Sequence, residues 1–169
     1  MSEIRIQKNE TEELQKKDAG ADFESFRQII ETLRSENGCP WDRAQTLESL
    51  KPCMVNEMTE ALAGIDLYTQ TGNAENLCEE LGDVLMQVVL LSQIAREKGL
   101  FDITDVIKGI SEKMIRRHPH VFGAPGTEVP DWEAIKQQEK QQRSRELEQA
   151  EKAAFRAAAG QIICHLSER

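Results

Sequence analysis

Hydrophobic side chains recur at helical spacing along most of this chain. In residues 23–35 the apolar positions lie three or four residues apart, at Phe23, Phe26, Ile29, Ile30 and Leu33. This period is typical of one face of an α-helix, so the pattern predicts a helix over residues 23–35 with Asp22 as its N-cap. The segment Asn37-Gly38-Cys39-Pro40 should end that helix, because glycine and proline both disfavour its continuation.

Further helical patterns follow, separated by turn residues. Pro52 suits the first turn of a helix that runs to about residue 69, and Thr71-Gly72-Asn73 predicts a tight connection. A longer helix over residues 74–98 should stop at Gly99. We also expect a helical turn over 44–50, a helix opened by Asp102 or Thr104 that ends near Arg117, a loop over 118–130, and one long solvated helix over 131–159. No run alternates as a β-strand does, so the sequence predicts an all-α fold.

Two of these predicted helices carry a pair of acidic residues beside an apolar face. On a helical wheel of about 100° per residue, Glu57 and Glu60 border an apolar arc. Glu80 and Asp83 repeat this layout 23 residues later. We expect both arcs to be buried; their members are Met54, Met58, Ala61, Leu62, Ile65 and Tyr68 in the first helix, and Leu77, Leu81, Val84, Leu85, Val88 and Leu91 in the second.

The tight turn should bring the two acidic pairs to the same height. Glu60 precedes Gln70 by 10 residues and Glu80 follows it by 10, so the pairs face each other in an antiparallel hairpin. Four converging carboxylates would repel one another unless they took up protons or bound a cation. Oxygen-only ligation favours Mg²⁺ or Mn²⁺, and the lack of a Glu-x-x-His pair argues against a di-iron site. For either pair taken alone, a solvated helix face is the alternative.

Composition and charge narrow the function classes. The chain has 169 residues, enough for one domain, and no apolar run reaches the roughly 18 residues of a membrane helix. Its net charge is −9, and residues 21–85 alone hold 13 acidic against 4 basic residues, which argues against a nucleic acid polymer as partner. The four cysteines form no CxxC pair and are expected to be free thiols. Together with an N-terminus that does not resemble a signal peptide, they predict a cytoplasmic protein.

Several separate motifs resemble those of the MazG nucleotide pyrophosphohydrolases. The family's order is followed by GCPWDRAQTLESLKP at 38–52, NEMTEAL at 56–62, CEELGDVLMQVV at 78–89, KMIRRHPHVFG at 113–123 and DWEAIKQQEK at 131–140. The resemblance implies an all-α, MazG-like helical bundle whose central antiparallel helix pair carries the acidic metal site. It also implies Mg²⁺-dependent hydrolysis of nucleoside triphosphates to a nucleoside monophosphate and pyrophosphate, by a homodimer or a higher homo-oligomer.

The resemblance also assigns roles to particular residues. It implies that Glu57, Glu60, Glu80 and Asp83 are the metal ligands and the catalytic set. The residues that it implies for substrate binding are Lys113 and Arg117, and Trp132 and Lys136, which lie four apart and so on one helix face.

Asn56 stands where the family usually has an acid. We place Asn56 among the substrate-binding residues, and leave open a supporting role behind the metal ligands or a weakened general-base position. If catalysis is weakened there, the chain would be a nucleotide-binding or partner-binding relative of the family, which is the alternative function. The expected domains are a flexible leader over 1–20, the MazG-like domain over 21–140 and a helical extension over 141–169.

Overall fold

The computed structural model describes residues 19–141 and 144–167, and every regular element in those two ranges is an α-helix. The predicted all-α class is therefore confirmed. The chain divides into two compact units, one ending at Thr46 and the other beginning at Leu47. The predicted leader over 1–20 lies almost entirely outside the described residues, and the predicted domain boundaries remain predictions.

The first unit contains helices α1 (Ala19–Arg34) and α2 (Pro40–Ala44). The predicted N-cap at Asp22 is wrong, because the helix already includes Ala19 and Asp22 lies in its first turn, where a negative charge favours the helix dipole. The turn after α1 requires glycine, since a Cβ on Gly38 would lie 2.2 Å from the carbonyl oxygen of Leu33.

The predicted helical turn over 44–50 is also wrong. The helix lies earlier, because Pro40 occupies the first turn of α2, where its missing N–H costs nothing. Residues 45–50 form no helix.

The second unit contains six helices in the described residues. They are α3 (Lys51–Thr71), α4 (Glu75–Glu97), α5 (Ile103–Arg117), α6 (Pro119–Phe122), α7 (Trp132–Gln141) and α8 (Arg145–Ser167). The first three follow the predicted bounds closely. Gly72 ends α3 with a left-handed φ of 75°, and Asp102 caps α5 by accepting from the backbone N–H groups of Thr104 and Asp105.

Two predictions fail in the last third of the chain. The segment predicted as a loop over 118–130 contains the short helix α6. The single helix predicted over 131–159 is two helices, α7 and α8, because Ser144 lies outside the helical conformation. The hydroxyl oxygen of Ser144 accepts from the N–H of Leu147, so this residue caps the start of α8.

Helices α3 and α4 form an antiparallel hairpin and share the most extensive contact in the chain. Their backbones approach closely at the buried Gly64, where a Cβ would lie only 3.1 Å from Cα of Leu77. The apolar core lies toward the C-terminal half of α4, at Val89, Leu90, Ile94 and Ala95. The hairpin therefore sets where the two predicted acidic pairs lie along the axes of α3 and α4.

The predicted burial of the two apolar arcs is wrong for half of their members. Six arc residues are 43% to 60% exposed: Met58, Leu62, Ile65, Tyr68, Leu81 and Leu85. We call these six residues the hairpin stripe. The helices that contact the hairpin, α5 and α8, leave the stripe uncovered.

In the described part of the structure, none of the four cysteines is joined to another by a disulfide bond. In the described ranges, no helix has both the length and the apolar character needed to cross a membrane.

Candidate metal centre

Three of the four predicted carboxylate ligands meet on the hairpin. Glu57 and Glu60 of α3 and Glu80 of α4 each offer a carboxylate oxygen, and these atoms all lie within 4.8 Å of one another. We call this group the acidic cluster. Glu57 and Glu80 are half-buried and Glu60 is exposed. Asp83, the fourth predicted ligand, is half-buried one turn further along α4 and is not in the cluster.

Local structure fixes the orientation of Glu80. Asn76, one turn earlier on α4, donates from Nδ2 to Oε1 of Glu80 at 2.8 Å. Asn76 in turn lies against Gly64, since a Cβ on that glycine would be 3.2 Å from Oδ1 of Asn76. Sequence reasoning missed Asn76, although its spacing of four residues before Glu80 is the available signal.

The donor set fits a divalent cation. Oxygen atoms bound to one cation at about 2.1–2.5 Å lie at most about 4–5 Å apart, which is the spread of the acidic cluster. Because the donors are all carboxylate oxygens, they match Mg²⁺ or Mn²⁺ better than metals that prefer nitrogen or sulfur. A bound cation would also relieve the repulsion among three negative charges at this distance.

A second group of charged residues joins helices α5 and α7. Arg117, a predicted substrate contact, donates from Nη2 to Oε2 of Glu139 at 2.6 Å. Arg116 donates to the other oxygen of Glu139, also at 2.6 Å. The guanidinium carbon of Arg117 lies 5.1 Å from the ring centroid of Trp132, within the range of a cation–π contact. The structure therefore brings two predicted substrate contacts, Arg117 and Trp132, together.

These contacts shift the pKa values of Glu139 and Arg117. The hydrogen bonds from Arg117 and then Arg116 lower the pKa of Glu139 from its ordinary 4.5 to about 2. The hydrogen bond to Glu139 raises the pKa of Arg117, which stays positively charged. Sequence reasoning missed Glu139, because the mixed charges of its helix predict a solvated surface and give no sign of its partners.

The remaining predicted substrate contacts lie on three helices. Lys113 is half-buried on α5, one turn before Arg117. Lys136 lies on α7, one turn after Trp132, and its side chain is outside the described part of the structure. Asn56 is half-buried on α3, with its Oδ1 2.8 Å from Nε2 of His165 on α8. No sequence signal pointed to His165, which is 109 residues away from Asn56.

Comparison with known proteins gives consistent matches over the middle of the chain. Residues 45–122 match the model of the MazG nucleotide pyrophosphohydrolase domain. The chain is 54% identical over 125 residues to the nucleoside triphosphate pyrophosphohydrolase/pyrophosphatase MazG of Thermotoga maritima, an alignment that covers 73% of this chain and 48% of that protein. It is 41% identical over 122 residues to the nucleoside triphosphate pyrophosphohydrolase of Escherichia coli K12, covering 69% of this chain and 45% of that protein.

A third relative is the protein YabN of Bacillus subtilis, 50% identical over 124 residues, which cover 70% of this chain and 24% of YabN. The chain thus spans half or less of the length of these relatives. The acidic cluster and Asp83 fall inside the matched domain, whereas α7 and α8 follow it. Through residues 45–122, this chain belongs to the MazG family of nucleotide pyrophosphohydrolases.

Proposed function

We propose that this chain hydrolyses nucleoside triphosphates to nucleoside monophosphates and pyrophosphate, with Mg²⁺ or Mn²⁺ held by acidic side chains of the hairpin. The observation that carries the proposal is the acidic cluster, in which three carboxylates from two helices lie within 4.8 Å. The relatives from T. maritima and E. coli are named for this activity, which supports the same reaction here.

In this proposal Glu57, Glu60, Glu80 and Asp83 are the metal ligands and form the catalytic set. Asn76 holds the carboxylate of Glu80 in place, as residues behind metal ligands commonly do. When bound, the cation offsets phosphate charge and acidifies water, which is the chemistry that phosphoanhydride hydrolysis needs. Carboxylates alone would repel a triphosphate, so the site also needs positive side chains.

Lys113, Arg117 and Lys136 are the proposed source of that positive charge, and Trp132 offers an aromatic face to the base. Arg117 and Arg116 both pair with Glu139, so a triphosphate that binds Arg117 shares it with this carboxylate or displaces it. Asn56 is proposed as a further contact with the substrate.

We also propose that the chain acts as a homodimer or a higher homo-oligomer. The hairpin stripe presents six large apolar side chains to solvent along one side of α3 and α4. Large exposed apolar patches commonly mark subunit interfaces. The proposed location is the cytoplasm, and the net charge of −9 favours free nucleotides over nucleic acid polymers as partners.

The alternative function is a nucleotide-binding or partner-binding relative of the family with weak catalysis. Asn56 favours it, because an amide cannot take a proton from water as a carboxylate in the same position could. The proposed enzyme and a nucleotide-binding relative differ in turnover and not in nucleotide binding.

A panel of ribonucleoside and deoxyribonucleoside triphosphates tests the proposal. We expect pyrophosphate release from at least one of them with Mg²⁺, and none when EDTA removes the metal. Binding of the triphosphates without any turnover would favour a nucleotide-binding relative. The absence of both binding and turnover would contradict the proposed enzyme and leave only a partner-binding relative.

A further inference from the structure

Helix α8 brings a histidine to the helix that carries Glu57 and Glu60. His165, near the end of α8, has its Nε2 2.8 Å from Oδ1 of Asn56, and both side chains are half-buried. Asn56 directly precedes Glu57 of the acidic cluster. His165 lies beyond the matched domain of residues 45–122, so this contact is made by a part of the chain that the family domain does not include.

The chemistry of the two atoms fixes the direction of the hydrogen bond. An amide oxygen only accepts, so Nε2 of His165 carries the proton and donates it to Oδ1 of Asn56. The Nδ2 group of Asn56 carries two N–H donors that this hydrogen bond does not use. N–H donors of this kind suit the anionic oxygens of a phosphate chain.

The side chains around His165 pack loosely, so the hydrogen bond to Asn56 is a contact that can orient the histidine. A cavity of about 510 Å³ lies between the first turns of α3 and the C-terminal half of α8, and His165 lines it. The cavity wall includes Leu50 and Met54 on the side of α3 and Ile162 on α8. Because apolar packing is incomplete here, shape complementarity alone does not set the position of the histidine.

We propose that His165 is a positioning residue for nucleotide binding. Its Nε2–H holds the amide of Asn56 so that the N–H groups of Asn56 face the phosphates of the triphosphate. This inference rests on the proposed function, and it gives the C-terminal helix a part in the site. Asn56 makes the contact with substrate, and His165 acts only through Asn56.

The test is a double-mutant cycle between the two residues. His165→Leu keeps side-chain volume and removes the donor, Asn56→Ala removes the acceptor and the N–H groups, and His165→Gln keeps a donor near the place of Nε2. Ile162→Ala is the control, because it disturbs the same cavity and leaves the hydrogen bond intact. The measurements are kcat and KM for a triphosphate, and the Kd of a Mg²⁺-bound, non-hydrolysable triphosphate analogue by calorimetry.

We expect His165→Leu and Asn56→Ala each to raise KM and Kd by about three- to tenfold, the range of one lost hydrogen bond, with a smaller change in kcat. The double mutant should be no worse than Asn56→Ala alone. His165→Gln should recover most of the affinity, and Ile162→Ala should lower the melting temperature without raising KM.

Independent losses that multiply in the double mutant would overturn the proposal, as would a wild-type Kd in His165→Leu or an equal effect of Ile162→Ala. If His165→Leu does not fold, nitrogen-15 NMR of the histidines decides: the protonated Nε2 of His165 should shift in Asn56→Ala, and an unchanged spectrum would rule out the contact. Wild-type protein that binds the analogue in this pattern without turning over any triphosphate would contradict the proposed function alone.

Discussion

The side chain of Glu80 shows how a residue of the acidic cluster is held in position. Its Oε1 accepts a hydrogen bond from Asn76, and Asn76 lies against the backbone of Gly64 on the opposite helix. A larger residue in place of Gly64 would press on Asn76 before it reached Glu80. The close approach of the two helices and the orientation of the carboxylate are therefore linked through one asparagine.

Burial of the polar side chain of Gln87 should lower the stability of the folded protein. It is only 4% exposed, and its Oε1 has no hydrogen-bond partner among the described residues. Because a buried acceptor without a partner costs free energy, we expect Gln87→Met to raise the free energy of unfolding by about 1 kcal/mol. Urea unfolding measures the change.

Gln93→Met on the same helix is the control for this experiment. The amide of Gln93 donates to Glu97 at 3.2 Å, so its loss should not stabilise the protein. If Gln87→Met destabilised the protein instead, the oxygen of Gln87 would have a partner in solution, such as a buried water.

The sequence alone predicts the carboxylates of the acidic cluster, but it does not predict the long-range contacts of Asn56 and Arg117. The helical wheel and the short turn at Gly72 placed Glu57, Glu60 and Glu80 together, because both depend on spacing along the chain. Asn56 and His165 are 109 positions apart in the sequence, and Arg117 and Glu139 are 22 positions apart. No local sequence pattern predicts contacts between residues so far apart.

Glu139 joins two helices, α5 and α7, through its ion pairs. It accepts hydrogen bonds from Arg116 and Arg117 at the end of α5, while it belongs to α7. Since α6 and the loop over 123–131 separate these helices in sequence, this ion pair is a contact that holds α7 beside α5. Trp132 adds a second contact with Arg117 at the start of α7.

The ion pair predicts a specific dependence of stability on pH. The pKa of Glu139 is about 2 in the folded protein and 4.5 for an ordinary glutamate, so the folded state binds this proton more weakly than the unfolded state. The stabilisation is therefore fully present above pH 4.5 and is lost as the pH falls from 4.5 toward 2. We expect Glu139→Gln to be less stable than wild type at pH 7, and the difference to shrink across that range.

Urea unfolding at a series of pH values measures this difference, with Glu128→Gln, in the exposed part of the loop, as the control. The stability of the control should run parallel to that of wild type. A constant gap between Glu139→Gln and wild type from pH 7 to pH 2 would mean that the pair with Arg117 does not set the ionisation of Glu139.

The elements that sequence reasoning found are those with a local signal. Asp102 gives α5 a capping box, and Gly72 ends α3 in a conformation that glycine adopts readily. The break at Ser144 was missed because the surrounding residues are good helix formers with no proline or glycine. The pattern predicts α2 too late in the chain, because Pro40 disfavours continuation of α1 and also suits the first turn of the next helix.

The hairpin stripe is an exposed apolar surface that contacts within a single chain leave unexplained. Its six apolar residues lie on the helices that carry the acidic cluster. Sequence periodicity places these residues on one apolar side of the hairpin, but it does not say whether the same chain or a second copy covers that side. The same pattern of residues serves either purpose.

We expect Leu62→Glu to convert an oligomer into monomers at micromolar concentration. Leu62 is 60% exposed in the stripe, and a charge there would have to be buried at the interface. Analytical ultracentrifugation measures the mass. Leu100→Glu is the control, since Leu100 is 61% exposed and lies outside the hairpin. A Leu62→Glu variant with the same mass as wild type would place the interface elsewhere.

The proposed function depends on a metal held by the acidic cluster, and Glu80→Gln removes one of its carboxylate ligands. This change keeps the shape of the side chain and removes one ligand charge, and Glu79→Gln, an exposed neighbour on the same helix, is the matched control. The measurement is the rate of pyrophosphate release at saturating triphosphate and Mg²⁺, with helix content followed by circular dichroism. We predict a loss of about 100-fold or more in Glu80→Gln and wild-type turnover in Glu79→Gln, both with unchanged helix content. Wild-type turnover in Glu80→Gln would contradict the proposed metal site.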